Sequence, residues 1–251
     1  MIELNNLSGG YGRAAVTKNV SLTIPNGKIT AIIGANGCGK STLLKLICGQ
    51  LKPSGGEILI DGKPLSGLSR AEAAKSISYL PQSRTAPDIS VEALVLHGRF
   101  PWLGYPRVYR AEDRAVTESA MEKAGILHKR REALPRLSGG ERQKAYIAMT
   151  LAQNTSHALL DEPTAYLDIA HQLEFIELTE LLKREGKAVA VVLHDINMAL
   201  ERADSLAVLK NGEVLAAGGP EEILRTGAIE NAFGVKISKY PQIVFSKAGQ
   251  L

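Results

Sequence analysis

Polar and apolar residues follow two rhythms along this chain, and the rhythm changes twice. Alternation of period two, or a short unbroken apolar run, marks strands at residues 2–7, 20–24, 28–33, 57–60 and 77–80. Between residues 83 and 152 these signals vanish. Apolar positions there recur at helical spacing over 91–99, 111–124 and 141–152, with Gly125 as a helix stop. Strand patterning returns at 157–160 and 188–193. The second of these, Ala-Val-Ala-Val-Val-Leu, is continuously apolar, as a parallel strand buried on both faces should be. Between the two, the spacing predicts a helix over 169–185, capped by Asp168 and ended by Gly186.

Turn chemistry punctuates the pattern. Gly9-Gly-Tyr-Gly12 predicts a glycine-flanked turn holding Tyr11, and Asp61-Gly62 and Asn211-Gly212 predict hairpins. Ser69-Arg-Ala-Glu72 is a capping box opening a short helix. Pro220 starts a helix, and the tail after it reads as a mixed, strand-like end. The order predicts a single α/β domain over 1–251, with core residues 1–82 and 157–251 and a helical lobe inserted at 83–156. No internal repeat or low-complexity segment interrupts it.

Composition narrows this picture. A chain of 251 residues with 45% hydrophobic and 22% charged residues can bury a sizeable core. Its net charge of +4 suits attraction to polyphosphate and falls short of a nucleic-acid-binding balance, so no nucleic-acid partner is expected. The densest basic run, Lys129-Arg-Arg131, reads as a solvated face. The first residues have no basic and apolar leader pattern, and no apolar run reaches the ~18 residues of a spanning helix. Cys38 and Cys48 sit too far apart along a loop and helix to pair, which suits a reducing, cytosolic setting.

Candidate chemistry centres on Gly34-Ala35-Asn36-Gly37-Cys38-Gly39-Lys40-Ser41-Thr42. The stretch fits G-x-x-x-x-G-K-[ST], entered by the 28–33 strand and left by the helix-period run Leu43, Leu44, Ile47. Glycines let backbone N–H groups turn inward around a phosphate chain, and the following helix adds its unpaired N–H groups and positive dipole end. Lys40 would neutralise the β- and γ-phosphates and Ser41 would ligate Mg²⁺, so a nucleoside triphosphate site is predicted. Downstream, Asp161-Glu162 closes the 157–160 strand. In a phosphate-loop enzyme the first carboxylate holds the metal and the second orients an attacking water. That role calls for a strand next to the loop strand. Taken alone, Asp-Glu-Pro reads equally well as a strand-end turn.

Leu137-Ser138-Gly139-Gly140-Glu141 resembles the signature motif of ATP-binding-cassette ATPases, although by itself it is also a serine cap on the 141–152 helix. The rest of that family's set is present in order. Tyr11 matches the aromatic that stacks on adenine, Gln82 the glutamine loop that also reaches the metal, Asp168 the loop crossing the dimer seam, and His194 the switch histidine. Glu141 stands where glutamine is commoner, and Cys38 occupies a variable position. The resemblance implies a phosphate-loop NTPase (RecA-like) α/β core with an N-terminal antiparallel β-subdomain and an inserted helical subdomain. It also implies two ATP molecules at the seam of a head-to-tail homodimer. Each lies between the phosphate loop of one copy and Ser138, Gly139 and Gly140 of the other, with Glu162, His194, Gln82 and Lys40 as the hydrolytic set. Ser41, Gln82 and Asp161 would face Mg²⁺.

Within the family, Tyr166-Leu-Asp-Ile-Ala-His-Gln172, His194-Asp-Ile-Asn197 and Gly98-Arg-Phe-Pro-Trp-Leu-Gly104 are most similar to iron–siderophore importer ATPases. Haem and cobalamin importers form neighbouring branches. The resemblance implies integral membrane permease subunits as partners, and a substrate-binding protein indirectly. The chain would then sit at the cytoplasmic face of the inner (plasma) membrane. The segment after Gln82 would receive the permease, with Phe100 and Trp102 either touching it or packing within the lobe. A soluble cassette ATPase of ribosomes or DNA would usually carry two cassettes or long coiled-coil insertions. His157 weakens an otherwise apolar strand without an evident reason.

Overall fold

The computed structural model describes residues 1–12, 14–82, 85–163 and 169–237. The chain opens with β1 (Ile2–Tyr11) and β2 (Ala14–Ile24), then enters β3 (Ile29–Gly34) and the helix α1 (Lys40–Ile47). β4 (Pro53–Ile60) and β5 (Lys63–Pro64) follow, then α2 (Arg70–Ser76) and β6 (Ile77–Leu80). β1, β2, β4 and β5 form an antiparallel sheet in the order β2-β1-β4-β5. β1 is longer than its apolar pattern predicts, because β-bulges carry it past Leu7 and keep Gly9 and Gly10 in the ladder. Tyr11 therefore stands at a strand end, opposite Ala14, and not in the predicted turn.

Three helices come next: α3 (Val91–His97), α4 (Ala111–Lys123) and α5 (Gly139–Ala152). α3 stops two residues short of the predicted 99, in a turn at Gly98 and Arg99, and a 3₁₀ turn over Phe100–Trp102 follows. α5 begins two residues before the predicted 141, because Ser138 caps it and the two glycines form its first turn. The three helices pack on one another, each contributing to one buried cluster that includes Val91, Val95, Met121, Ala145 and Ala148. The chain returns to the sheet through β7 (His157–Asp161), α6 (Ile169–Arg184) and β8 (Ala188–Val192). The Asp168 cap predicted for α6 lies outside the described residues.

The end of the chain holds elements that the pattern leaves unassigned. α7 (Ile196–Arg202) leads to β9 (Ser205–Lys210) and β10 (Glu213–Gly218), joined by the predicted Asn211-Gly212 hairpin. α8 (Pro220–Thr226) starts at Pro220, and α9 (Ala228–Phe233) forms where a strand-like tail is expected. Gly227 and Gly234 bracket α9 in the left-handed conformation, and Ile229 and Ala232 bury its inner face. Residues 238–251 lie outside the described set.

The second sheet has six strands in the order β10-β9-β3-β8-β7-β6, with only the β9–β10 pair antiparallel. β3, β7 and β8 are buried at every position, β8 as its unbroken apolar run demands, β7 with His157 and Asp161 buried at its ends. Side chains alternate between two cores. Ile29, Ala31 and Ile33 join the cluster shared with α3 to α6, whereas Ile32 faces α1. α1 is thereby sandwiched between the sheets, its Leu43, Leu44, Leu46 and Ile47 packing with Ile2, Leu4 and Leu7 of β1.

His157 acquires a physical account here. It is fully buried at the start of β7, with Nδ1 2.9 Å from the Ser76 carbonyl and Nε2 3.4 Å from Asp61 of the β4–β5 turn. Burial pulls its pKa down, so the neutral ring joins one sheet to the other.

Asp204 ties three elements together. Its carboxylate accepts from the Ile29 N–H at 2.8 Å and from Lys183 Nζ of α6 at 2.7 Å. Burial alone would raise its pKa, but these bonds outweigh burial and hold the carboxyl below its ordinary 3.8. A depressed carboxyl adds stability above its unfolded pKa and loses it as pH falls through the folded one. Asp204→Ala should therefore lower the unfolding free energy at pH 7 by about 1–3 kcal/mol. In urea titrations the gap between variant and parent should close as the pH drops below 3.8; a gap independent of pH would rule this out.

Candidate functional site

The loop between β3 and α1 supplies the phosphate-sized part of the site. Gly34 must be glycine: its φ is +155°, and a Cβ there would lie 2.3 Å from the Leu209 carbonyl and 2.7 Å from Cys38 Sγ. Lys40 opens α1 yet is buried, its Nζ donating to the carbonyls of Gly34 at 2.8 Å and Ala35 at 3.1 Å. Neither partner is an anion, so the ammonium is held in place without being neutralised. Cys38 is buried as well, and burial pushes its thiol up despite the neighbouring Lys40, so it stays protonated and unreactive.

Asp161, at the end of β7, is the deepest acid of the site. One of its oxygens accepts from Ser41 Oγ at 3.0 Å and the other from the Tyr79 hydroxyl at 3.1 Å. Burial raises its pKa against both bonds, and it drives the Tyr79 phenol upward too, the carboxylate adding to the effect. The order β3-β8-β7 corrects the expectation that the Asp161 strand neighbours the loop strand, since β8 stands between them. The two meet because α1 runs back across the sheet, so that its Ser41 end reaches β7.

Glu162 follows in a left-handed backbone conformation, φ +48°, which few non-glycine residues adopt and which costs about 1–2 kcal/mol. The conformation turns its carboxylate away from Asp161 and toward two donors. Gln82, just past β6, donates to one oxygen, and His194 Nε2, just past β8, lies 2.7 Å from the other. Asp195 accepts from the Asn197 and Met198 N–H groups and so starts α7 directly after the histidine.

Lys40, Ser41, Gln82, Glu162 and His194 line an open cleft of about 490 Å³ with Val16, Asn36, Gly37, Gly39 and Thr42, and Asp161 joins it through its bond to Ser41. Val16 was not singled out in the sequence. It reaches the cleft from β2 of the antiparallel sheet, and no local signal marks it. Tyr11 does not line the cleft. It is exposed beyond it, with Lys45 Nζ bonded to its hydroxyl at 3.1 Å and 5.7 Å from the ring centre. A hard cation would find one carboxylate and one hydroxyl here, Asp161 and Ser41, with the remaining places open to phosphate oxygens and water.

The segment 137–141 lies apart from this cleft. Leu137 is buried, while Ser138 and Gly139 are exposed. Ser138 Oγ accepts from the Glu141 N–H at 3.3 Å, and the Glu141 carboxylate accepts from the Ser138 N–H at 2.9 Å, a complete capping box. These bonds hold the Glu141 carboxyl below its ordinary range, and glutamic acid serves the box as well as glutamine would. A Cβ added at Gly139 would meet nothing within 4 Å, so this chain's own packing does not require that glycine. The α5 terminus, with its unpaired N–H groups, opens outward. Asp168 lies outside the described residues.

Comparison with known proteins fits this arrangement. The model of the ABC transporter family matches residues 17–165. The chain is 43% identical to the ferric enterobactin transport ATP-binding protein FepC of Escherichia coli K12, over 92% of this chain and 86% of that one. It is 42% identical to YusV of Bacillus subtilis 168, described as a siderophore transport system ATP-binding protein, over 93% and 86%. Among solved structures, a dimeric bacterial ABC transporter cassette superposes with a TM-score of 0.77 at 31% identity, over 88% of this chain and 99% of that one. The chain belongs to the ABC transporter family, of which it is an ATP-binding, ATP-hydrolysing subunit.

Proposed function

We propose that this chain powers the import of an iron–siderophore-type substrate through separate membrane permease subunits. The observation that carries the ATPase mechanism is the convergence of Lys40, Glu162, Gln82 and His194 on one cleft at the ends of four strands, with Asp161 bonded to Ser41 of its lining. What supports the cargo class is the naming of relatives at 42–43% identity, which are siderophore and ferric enterobactin transport ATP-binding proteins. Among the described residues no helix is long and apolar enough to cross a membrane, so the work would be handed to a partner that does. The chain would then act at the cytoplasmic face of the plasma membrane, with residues 83–156 as its helical lobe. The exposed Phe100 would meet the permease there.

In this reading ATP lies along the loop 34–42, with Tyr11 swung onto its adenine. The buried Lys40 ammonium neutralises the β- and γ-phosphates. Mg²⁺, held by Ser41 and Asp161 with Gln82 near it, would supply further charge neutralisation on the phosphates. Asp161 suits that task because burial penalises its charge more than its bonds to Ser41 and Tyr79 and the field of Lys45 relieve it. Glu162 orients the attacking water, held by its bonds to His194 and Gln82, so catalysis is positioning and charge stabilisation.

A second copy completes the site. The outward-facing Ser138, Gly139 and Gly140 and the positive end of α5 would close on the γ-phosphate of the partner's ATP, and Asp168 would cross the seam. The open space at Gly139 favours this, because a glycine weakens a helix and no described atom lies within 4 Å of an added Cβ to require one. That a solved relative at 31% identity is dimeric supports a second copy as partner.

Three outcomes test the reading. Glu162→Gln should bind ATP, pair into dimers on a sizing column and turn over about 10²–10³-fold more slowly; full turnover by that variant would remove Glu162 from its role. Asp161→Asn keeps an acceptor for Ser41 but removes the buried charge. In nucleotide-free protein its urea midpoint should rise, while ATPase activity collapses, a stability–function trade; an unchanged or lower midpoint would contradict the account of Asp161. Tagged chain isolated from detergent-solubilised cells should carry an integral membrane protein, and recovery with ribosomes or DNA instead would overturn the transport assignment.

A further inference from the structure

The two ends of α5 are treated very differently by the rest of the chain. Its first turn is exposed at Gly139, where an added Cβ would meet no described atom within 4 Å, and Lys129 Nζ lies 3.6 Å from Glu141. Its last turn is gripped. The carbonyls that end a helix have no partner within it and must find one elsewhere. Here Arg99 Nη1 donates to the Ala152 carbonyl at 2.9 Å, and Trp102 Nε1 donates to the Gln153 carbonyl at 2.7 Å. A cation at this end also opposes the negative pole of the helix dipole.

The grip is itself braced. Arg99 Nε bonds Asp113 of α4 at 3.0 Å, both side chains being nearly buried, and the guanidinium lies 5.2 Å from the Trp102 ring centre. Lys75, from α2, approaches the same ring at 5.4 Å. Gln153 donates to the carbonyls of Ala74 and Ile77 at 2.7 and 3.0 Å, fastening this end of α5 to the junction of α2 and β6. Gly98 allows the approach: a Cβ there would lie 2.3 Å from the Met149 carbonyl in the last turn of α5. A rod about 20 Å long, packed along one face from Gln143 to Ala152, is thus fastened at its far end by the segment that also exposes Phe100 and Tyr105.

We propose that Arg99 and Trp102 are positioning residues for the nucleotide site shared between two copies: by clamping the C-terminal end of α5 they aim its Ser138 end at the partner copy's triphosphate. The inference rests on the cassette reading above. It deepens that reading by naming the joint through which residues 98–102 act on the reaction. Neither residue touches ATP, so their loss leaves nucleotide capture by the loop 34–42 intact. It misaims the helix that completes the site.

Trp102→Phe keeps the ring between its cations and removes the N–H donor. Its melting temperature, ATP affinity and KM should match the parent's, while kcat falls about three- to thirtyfold. In the Glu162→Gln background, Trp102→Phe should also weaken ATP-driven dimer formation measured by sedimentation. Arg99→Lys, which keeps the charge, should retain more kcat than Arg99→Met; if Arg99→Met does not fold, the comparison rests on Arg99→Lys and Trp102→Phe. A Trp102→Phe variant with kcat and dimer formation within about twofold of the parent overturns the inference. So does a loss of kcat matched by equal losses of ATP affinity and melting temperature. A parent that neither hydrolyses ATP nor dimerises on it overturns the cassette reading and this inference together, whereas a normal parent with a normal Trp102→Phe overturns this inference alone.

Discussion

The hydrogen bond from Ser41 to the buried Asp161 carboxylate joins the two halves of the chemistry. It links the first turn of α1 to the end of β7 across an intervening strand, and so sets the depth of the phosphate loop against the acidic strand end. The interaction is costly in isolation, because a charge taken out of water without a cation is penalised. Two hydroxyl donors, from Ser41 and Tyr79, reduce the penalty without removing it, and the raised pKa records what remains. A polyphosphate that brings its own divalent cation would relieve it. The site is therefore unsatisfied in the sense that suits binding.

Lys40 is the complementary case. Its ammonium is buried against carbonyl oxygens alone, so the loop holds a positive charge awaiting an anion while β7 holds a negative charge awaiting a cation. Glu162 lies between these demands. It has a left-handed backbone conformation, and its carboxylate is bonded by Gln82 and lies 2.7 Å from His194 Nε2. Each of the three comes from the end of a different strand or the loop just after it.

The same division runs through the helices. α1 is sandwiched between both sheets and offers its N-terminus to the cleft of its own chain. α5 is clamped at its far end and offers its N-terminus outward. Two helix termini with the same anion-binding physics face different targets because packing fixes the opposite end of each. An added Cβ at the exposed Gly139 would meet no described atom within 4 Å, so among the described residues packing does not explain this glycine.

Much of the site was legible in the sequence because its signals are local. A phosphate loop needs glycines, lysine and serine at set spacing, and the Ser138–Glu141 box closes within one helical turn, so both could be read without knowing the fold. His194 and the Asp161-Glu162 pair were legible because each directly follows an unbroken apolar run. What only the tertiary structure decided is lateral: that β8 separates β3 from β7, that Val16 crosses from the other sheet, and that Tyr79 bonds Asp161. The same holds for His157 joining the two sheets and for Arg99 and Trp102 finding the end of α5. The physical reason is that strand order and helix-end contacts arise from pairings between residues distant in the chain. Any apolar run satisfies a neighbouring strand, and any buried carbonyl accepts a suitable donor, so no local pattern says which partner it will be.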